Sequence, residues 1–476
     1  MFSVASHMSR VTIIGAGLAG SLLAIYLAKR GIEVDVYEAR GDMRREDVAA
    51  GRSINLALSD RGIAALREVG MDAYMLAEAV PMYGRMIHTP TGETKLLRYS
   101  GRDGEYINSV SRAGLNIALI NEAEKYDDVS FHFNKRCADF DCETVSLNFE
   151  DSTTVTADTV IATDGAGSAV RDAIERDLTD FQMSQVFLEH GYKELHIPPA
   201  GNGGFLLEKN ALHIWPRHQF MMIALPNFDG SFTCTLFLAH EGENSFTEIS
   251  HRSTQMNADM IGPNNQRHLR ESAAKMVLEF FTREFPDAVP LMPTLAEDFF
   301  HNPTGQLGTI KCWPWNIDGK ALLLGDAAHA MVPFYGQGMN CAFEDVRVLD
   351  TLLSEPLASA GGQIDWQNIF EDYGQLRKAN TDAICDMAQE NFYEMRDATA
   401  DPVFQRKREL ETRLEHTFPD YFSKYSMVTF REDLPYAVAK EKGNAQDRLL
   451  MAICSRVETV SELDVNDVMM KVKDLQ

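Results

Sequence analysis

A Rossmann-like α/β domain, interrupted by an antiparallel β-sheet and followed by a helical carboxy-terminal domain, is what three features of the chain predict. A β-branched run at 11–14 leads through Gly15-Ala-Gly17-Leu-Ala-Gly20 into a helical pattern. Two further β-rich runs, far along the chain, end in Asp164-Gly165 and Gly325-Asp326. Between those two lie short β-rich runs separated by turn residues, and after about residue 376 helical patterns dominate.

The first segment reads as strand, tight turn and helix, with Leu22, Ile25 and Tyr26 recurring at helical spacing. Gly15 permits the turn. Gly17 lets backbone N–H groups approach a pyrophosphate at the positive end of the helix, and Gly20 allows close packing on the strand. Glu38 ends a second strand about twenty residues on, where a carboxylate can bind ribose hydroxyls. Together these elements predict dinucleotide binding without separating FAD from NAD. An ordinary glycine turn is the competing reading of the motif taken alone.

The later segments favour FAD. Residues 159–165 read as a strand ending in a turn, with a helix opening at 168–171. Residues 321–326 form a second such strand, leading through 327–329 to Pro333-Phe-Tyr-Gly-Gln-Gly-Met-Asn340. A carboxylate at Asp164 or Asp326 can accept a hydrogen bond from a ribityl hydroxyl, although either alone could cap a turn. Glycines at 336 and 338 would let N–H groups approach a flavin ring, and a helix beginning near Gln337 would direct its positive dipole at the pyrimidine edge.

With these motifs the chain resembles the aromatic-ring flavin monooxygenases, the group typified by para-hydroxybenzoate hydroxylase. Longer strings narrow the resemblance to the branch that hydroxylates kynurenine: 51–56 (Gly-Arg-Ser-Ile-Asn-Leu), 84–86 (Gly-Arg-Met), 190–195 (His-Gly-Tyr-Lys-Glu-Leu), 212–216 (Leu-His-Ile-Trp-Pro), 333–340 and 425–430 (Tyr-Ser-Met-Val-Thr-Phe). The resemblance implies an FAD enzyme with NADPH and O2 as co-substrates. It would add one oxygen to L-kynurenine through a flavin C4a-hydroperoxide, giving 3-hydroxy-L-kynurenine in tryptophan degradation. The flavin would carry the chemistry, so no catalytic side chain and no metal is expected, and His329 is read as structural. NADPH rests on the resemblance alone, since there is no second strand-GxGxxG-helix unit and Gly201-Asn-Gly-Gly204 lacks the flanking elements. A hydroxylase of another aromatic acid and a non-catalytic flavin-binding redox module are the competing classes.

Composition agrees with a large enzyme without naming its chemistry. With 45% hydrophobic residues in 476 the chain can bury a core for two or three domains, and no uninterrupted apolar run suggests a membrane span. Lys+Arg of 45 against Asp+Glu of 70 gives a net charge of -25, which argues against nucleic-acid binding and leaves an anionic dinucleotide dependent on a local basic patch. Seven cysteines without a CxxC pair read as reduced cytoplasmic thiols, mostly in the core. The first eight residues lack the basic and apolar blocks of a secretory leader, and Met8 is the expected natural start. The stretch 447–476 is polar with helical periodicity rather than an anchor. Some eukaryotic members of the group that the chain resembles carry a carboxy-terminal membrane anchor, so the resemblance implies a bacterial-type soluble form.

The chain order implies a discontinuous FAD-binding domain at 8–185 and 297–375, a β-sheet substrate domain at 186–296 and a helical domain at 376–476. The inserted sheet is expected from runs at 204–208, 211–215, 220–225 and 232–238. The expected apolar wall is Leu212, Ile214, Met221, Ile223, Leu225 and Phe237, same-parity residues on adjacent strands, with plain hydrophobic core as the alternative.

The remaining site residues follow from the resemblance. Arg85 and Tyr99 match the positions that hold the kynurenine carboxylate, where an Arg can grip by a two-pronged charge-assisted bond. Asn391 and Tyr425 would reach the site from the helical domain, and Pro333, Phe334, Tyr335 and Gln337 would border the ring near the flavin. For FAD the resemblance adds Leu18, Ala19, Arg40, Ala57, Arg112, Gly338, Met339 and Asn340. Arg112 begins a helix from which a guanidinium could meet the pyrophosphate, or could join a surface pair. One departure is Ala162-Thr163 where relatives often have Gly-Ala, and the added methyl groups would narrow the groove.

Overall fold

Strand Arg10–Ile14 lies inside a six-stranded sheet ordered Asn316–Ile317, Ala321–Leu323, Thr159–Ala162, Arg10–Ile14, Glu33–Tyr37, Val129–His132. Every pair in it is parallel except the outermost, Asn316–Ile317 with Ala321–Leu323. This computed structural model describes residues 10–45, 55–249, 265–358, 364–398 and 401–475. The first nine residues and the 51–54 part of the string at 51–56 lie outside the described residues. Because the strands ending at Ile14, Ala162 and Leu323 are neighbours, three motifs that are far apart in sequence open on one sheet edge, where parallel α/β sheets bind ligands.

A seven-stranded sheet is ordered Gly305–Trp313, Gln182–Ile197, Phe232–Ala239, Met221–Pro226, Leu212–Pro216, Gly84–His88, Thr94–Arg98. It is wider than the interval 186–296 in which the sequence places it, since it recruits Gly84–His88, Thr94–Arg98 and Gly305–Trp313 from either side. It is also not wholly antiparallel: Gly84–His88 pairs in parallel with Leu212–Pro216. The sixteen-residue strand Gln182–Ile197 is not legible in the sequence, because an irregularity between Phe187 and Gly191 breaks its alternation. The expected run at 204–208 forms no strand. There Ala200 N bonds Gly204 O at 2.7 Å and Gly204 N bonds Asn202 Oδ1 at 3.0 Å, closing a turn instead.

Alternation gives this sheet two buried faces. Trp215, Met222, Cys234 and Leu236 pack with Phe281, Phe285 and Phe299, while Ile87, Ile214, Met221 and Phe237 pack against the carboxy-terminal helices. Those helices begin earlier than expected: Trp366–Asp397 is one 32-residue helix, so position 376 falls inside it, and Asp365 caps it by accepting from Asn368 N at 3.2 Å. Pro402–Thr417, Lys424–Thr429, Tyr436–Cys454 and Val465–Lys473 follow. Six of the seven free cysteines are buried. Among the described residues no helix is long and apolar enough to cross a membrane.

A buried ionic ladder joins the two regions. His329 Nε2 meets Asp345 Oδ2 at 2.6 Å, and Arg377 on the long helix donates to Asp345 Oδ1 and Glu344 Oε2, each at 2.6 Å. Arg61 donates to Glu344 Oε1 at 2.5 Å and to the Val428 carbonyl at 3.0 Å. Burial raises the Asp345 pKa, but His329 and Arg377 outweigh it and hold the carboxyl below the ordinary range. Its contribution to stability is therefore present above the ordinary carboxylate pKa and lost as pH falls through the folded value. Asp345→Ala strands Arg377 and His329 in the core and is expected to cost about 3–5 kcal/mol, read as a lower urea midpoint of the holoenzyme.

Candidate FAD and substrate site

At the motif edge, each glycine has its own reason. Gly15 has φ +100° and a Cβ there would lie 2.6 Å from the Thr163 carbonyl oxygen. A Cβ at Gly20 would overlap the Gly15 carbonyl oxygen, whereas one at Gly17 would meet nothing within 4 Å. Gly17 caps helix Leu18–Lys29 without a side-chain hydrogen bond, so the amides of the first turn face the cavity lined by Gly17, Leu18 and Ala19. Thr163 does not merely narrow this groove: its hydroxyl donates to the carbonyls of Gly15 and Ile14, at 2.8 and 3.0 Å, and so holds the turn. Arg112, at the start of helix Arg112–Ala123, also lines the cavity and forms no ion pair among the described residues.

Glu38 accepts from Ala16 N at 2.8 Å and from Arg40 N and Nε at 2.9 and 2.7 Å. Burial raises its pKa, yet these bonds outweigh the burial and keep it below the usual carboxylate range. Asp326 lines the cavity, and its carboxylate accepts no hydrogen bond from a described residue. Asp326 is open to the cavity, and desolvation by the protein packed around it pushes its pKa up, against the pull of His329 and Arg112. Asp164 differs: its Oδ2 accepts from Ala169 N at 3.0 Å at the head of helix Ala169–Asp177, Oδ1 has no partner, and neither lines the cavity. Gly336 turns with φ +67°, and Ala57, Gly336, Gly338 and Met339 line the cavity beside it. Asn340 is behind that surface, donating to Ala57 O at 2.8 Å and Gly336 O at 2.9 Å and accepting from Ser59 N at 2.9 Å.

Beyond that turn, the cavity of about 550 Å³ becomes an apolar chamber with a basic patch. Leu212, Ile223, Leu225 and Phe237 line it, as do Pro333, Phe334 and Tyr335. Arg85 is buried, with Nη1 3.5 Å from Glu394 Oε1 and Nε without a partner. Tyr99 is buried beside it, and its hydroxyl also lacks a partner. Tyr425 stacks on Tyr99 at 4.9 Å and on Tyr335 at 5.6 Å, and Arg85 lies 5.3 Å from its ring centre.

Four residues expected at the ring are held elsewhere. Ile214 and Met221 share the wall's face but are sealed in the core beneath the helices. Gln337 accepts from the Tyr436 hydroxyl at 2.9 Å, and Asn391 donates to the Phe334 carbonyl at 2.6 Å. Both brace the turn from behind. Sequence reasoning missed Thr235, Gln185, Phe187, Tyr192 and Met395 in the lining. Thr235 was legible, since it shares parity with Phe237 and pairs with Ile223. Phe187 and Tyr192 lie across Gly308 and Gly305 of the neighbouring strand, where a Cβ would strike their rings, a cross-strand relation no local pattern announces.

The parts fit FAD: an open glycine approach to a helix amino terminus, with the Arg112 guanidinium and the Asp326 carboxylate lining the same cavity and unpaired among the described residues. Fold and cavity thus define a flavin-dependent monooxygenase architecture. The chain matches the FAD binding domain family over residues 8–206 and 305–388. It is 46% identical over 461 residues to the kynurenine 3-monooxygenase of Myxococcus xanthus, covering 96% of this chain and 93% of that one. To the kynurenine 3-monooxygenase of Dictyostelium discoideum it is 44% identical, with 92% of each chain covered. The chain belongs to the kynurenine 3-monooxygenase family. Among solved structures it is similar in fold to 2-methyl-3-hydroxypyridine-5-carboxylic acid oxygenase, with TM-score 0.63 at 20% identity over 86% of this chain and 98% of that one. The FAD complex of a single-residue variant of Klebsiella pneumoniae HpxO aligns with TM-score 0.61 at 18% identity over 94% and 98%.

The glycines separate ligand binding from folding. Gly17→Ala is expected to leave the thermal midpoint of the apoprotein unchanged while weakening FAD about tenfold or more, through loss of a charge-assisted backbone contact. Gly20→Ala is expected to lower the midpoint itself. Calorimetry of the apoprotein and FAD titration by fluorescence quenching read the two effects.

Proposed function

We propose that this protein is an NADPH- and O2-dependent hydroxylase that converts L-kynurenine to 3-hydroxy-L-kynurenine. The observation that carries the reading is the pair of buried donors at one end of an apolar chamber, Arg85 Nε and Tyr99 Oη, which lie near each other and have no hydrogen-bond partner within 3.5 Å among the described residues. Buried donors of this kind are costly unless a ligand satisfies them, and a carboxylate suits an Arg and a phenol together. Kinship at 46% identity with a kynurenine 3-monooxygenase supports kynurenine as the owner of that carboxylate.

FAD, when bound and reduced by NADPH, supplies an electrophilic oxygen drawn from O2. The chain's own work is placement and exclusion. Arg85 and Tyr99 donate to the substrate carboxylate, and Tyr425 flanks them. The ring then lies along Leu212, Ile223, Leu225 and Phe237, with the Pro333–Tyr335 turn opposite. These apolar side chains keep water from the reacting oxygen. No side-chain base is required, because the ortho-amino group already activates the ring, and His329 stays bound to Asp345. With FAD bound, Gly17, Leu18, Ala19 and Arg112 would hold the diphosphate and Asp326 the ribityl chain, and Glu38, which also accepts from Ala16 N and Arg40, would meet the ribose. In the same reading 8–185 with 297–375 is the cofactor unit, 186–296 the middle of the substrate sheet and 376–476 its helical cover, acting in the cytoplasm. The family match to two separated stretches supports that division.

Arg85→Ala is expected to raise the KM for kynurenine about tenfold to a hundredfold, with FAD content unchanged, since charge-assisted bonds are worth roughly 1.5–3 kcal/mol. Tyr99→Phe should produce a smaller rise. The decisive assay follows NADPH oxidation with and without L-kynurenine, weighs the product and measures peroxide. A product heavier by one oxygen is expected, and oxidation that yields only peroxide would overturn kynurenine as the substrate.

A further inference from the structure

Tyr99 and Tyr425, the stacked pair beside Arg85, come from distant parts of the chain, yet both segments are tied to one buried side chain that does not line the chamber. Resting on the hydroxylase reading, we propose that Glu415 is a positioning residue: from helix Pro402–Thr417 its carboxylate gathers the peptide after Tyr99 and the turn before Tyr425, and so sets the substrate clamp.

Each carboxylate oxygen serves its own segment. Glu415 Oε2 accepts from Gly101 N at 2.9 Å, two residues past Tyr99. Oε1 accepts from Ser423 N at 2.9 Å and from the Ser426 hydroxyl at 2.5 Å, on either side of Tyr425. Ser423 caps helix Lys424–Thr429, its own hydroxyl accepting from Ser426 N at 3.2 Å, so this tie holds the start of the helix that carries Tyr425. A backbone N–H can only donate, and each oxygen faces one, so both oxygens accept. Arg102 Nη1 stays 3.8 Å from Oε1, outside hydrogen-bond reach. The short contacts of this carboxylate are therefore with groups that fix the two tyrosine segments.

Packing supports the same reading independently. A Cβ on Gly101 would overlap the Thr412 carbonyl oxygen and lie 3.1 Å from His416 N, so bare backbone is seated directly on the helix. Arg408, two turns before Glu415 on that helix, donates to the Arg98 carbonyl at 3.2 Å and to the Tyr99 carbonyl at 3.3 Å. The chain around Tyr99 is thus held on both sides of that residue. Its side chain depends on this, because the hydroxyl is hydrogen-bonded to no described residue. Backbone anchors, and the stack on Tyr425 with rings 4.9 Å apart and inclined by 10°, are what place it. With either segment released, the hydroxyl that completes the grip loses its setting, while Arg85 keeps its place on strand Gly84–His88.

Glu415→Gln keeps the shape of the side chain but turns an NH2 group toward one of the two amides, so one tie is lost. The test is steady-state kinetics of the holoenzyme with kynurenine for Glu415→Gln, Tyr99→Phe and the double variant. Glu415→Gln is expected to raise KM about fivefold, the scale of one hydrogen bond, with kcat within about twofold and FAD content unchanged. In the Tyr99→Phe background the further rise should stay under about twofold, because the hydroxyl that Glu415 positions is already absent. Gly101→Ala unseats the same peptide without touching the carboxylate, and should give the same rise in KM and the same loss of it in Tyr99→Phe. An unchanged KM, a matching fall in kcat, a rise that adds in full to that of Tyr99→Phe, or failure of both variants to give folded holoenzyme would overturn the proposal in favour of a purely structural carboxylate. Absence of oxygenated product from the wild-type protein would instead sink the hydroxylase reading.

Discussion

The close approach of Gly15 to the end of strand Thr159–Ala162 is the constraint on which the cofactor edge depends. Gly15 N donates to the Tyr37 carbonyl and Thr163 N to the Ile14 carbonyl, both at 2.8 Å, so the turn is held from the strands on either side. A side chain at position 15 would push those strands apart. With the turn held, helix Leu18–Lys29 aims its uncapped end into the cavity, and its partial positive charge joins that of Arg112. In a chain of net charge -25 this local field has to supply what the surface as a whole opposes.

The seven-stranded sheet imposes the second constraint. A slip of one residue in the pairing of Leu212–Pro216 with Met221–Pro226 would exchange Leu212 and Ile214 for His213 and Trp215. The wall would then lose its aliphatic side chains, and the His213 imidazole and Trp215 indole would turn toward the substrate chamber. The register places Arg85 opposite Leu212, so the charge that grips and the surface that excludes water lie on the same face. Arg85 is tolerable there because Glu394 is near and the Tyr425 ring lies beside it, although its Nε stays unsatisfied.

What was legible in the sequence is what local chemistry encodes. The glycine motif, the turns that follow strands Thr159–Ala162 and Ala321–Leu323 and the parity of 212, 223, 225 and 237 all leave short-range signals, because a turn or an alternation is specified within a few residues. Discontinuity was legible too, since motifs on both sides of a β-rich stretch must meet. Long-range relations left none. Nothing near Gly84 says that its strand joins a sheet begun at residue 182, and nothing near Gln337 announces Tyr436 as its partner. Asp164 shows the limit from the other side: a capping residue and a ligand-facing residue look alike at the end of a strand, and here Ala169 N takes the carboxylate.

Gln337 and Asn391 show how the helical segment enters the chemistry without touching the reacting groups. The first ties the turn before helix Gly338–Ala358 to Tyr436, and the second pins the Phe334 carbonyl to helix Trp366–Asp397. Arg61 reaches the Val428 carbonyl from the same side, and its guanidinium lies 3.9 Å from the Tyr436 ring centre. Glu415 closes the other end, accepting from Gly101 N at 2.9 Å next to Tyr99 and from Ser423 N at 2.9 Å next to Tyr425. A buried carboxylate with these partners strongly opposes separation, because pulling the helices away would leave it unpaired. The turn facing the cofactor and the tyrosines facing the substrate are therefore set by the same helical cover, and displacement of that cover would disturb both ends of the site together.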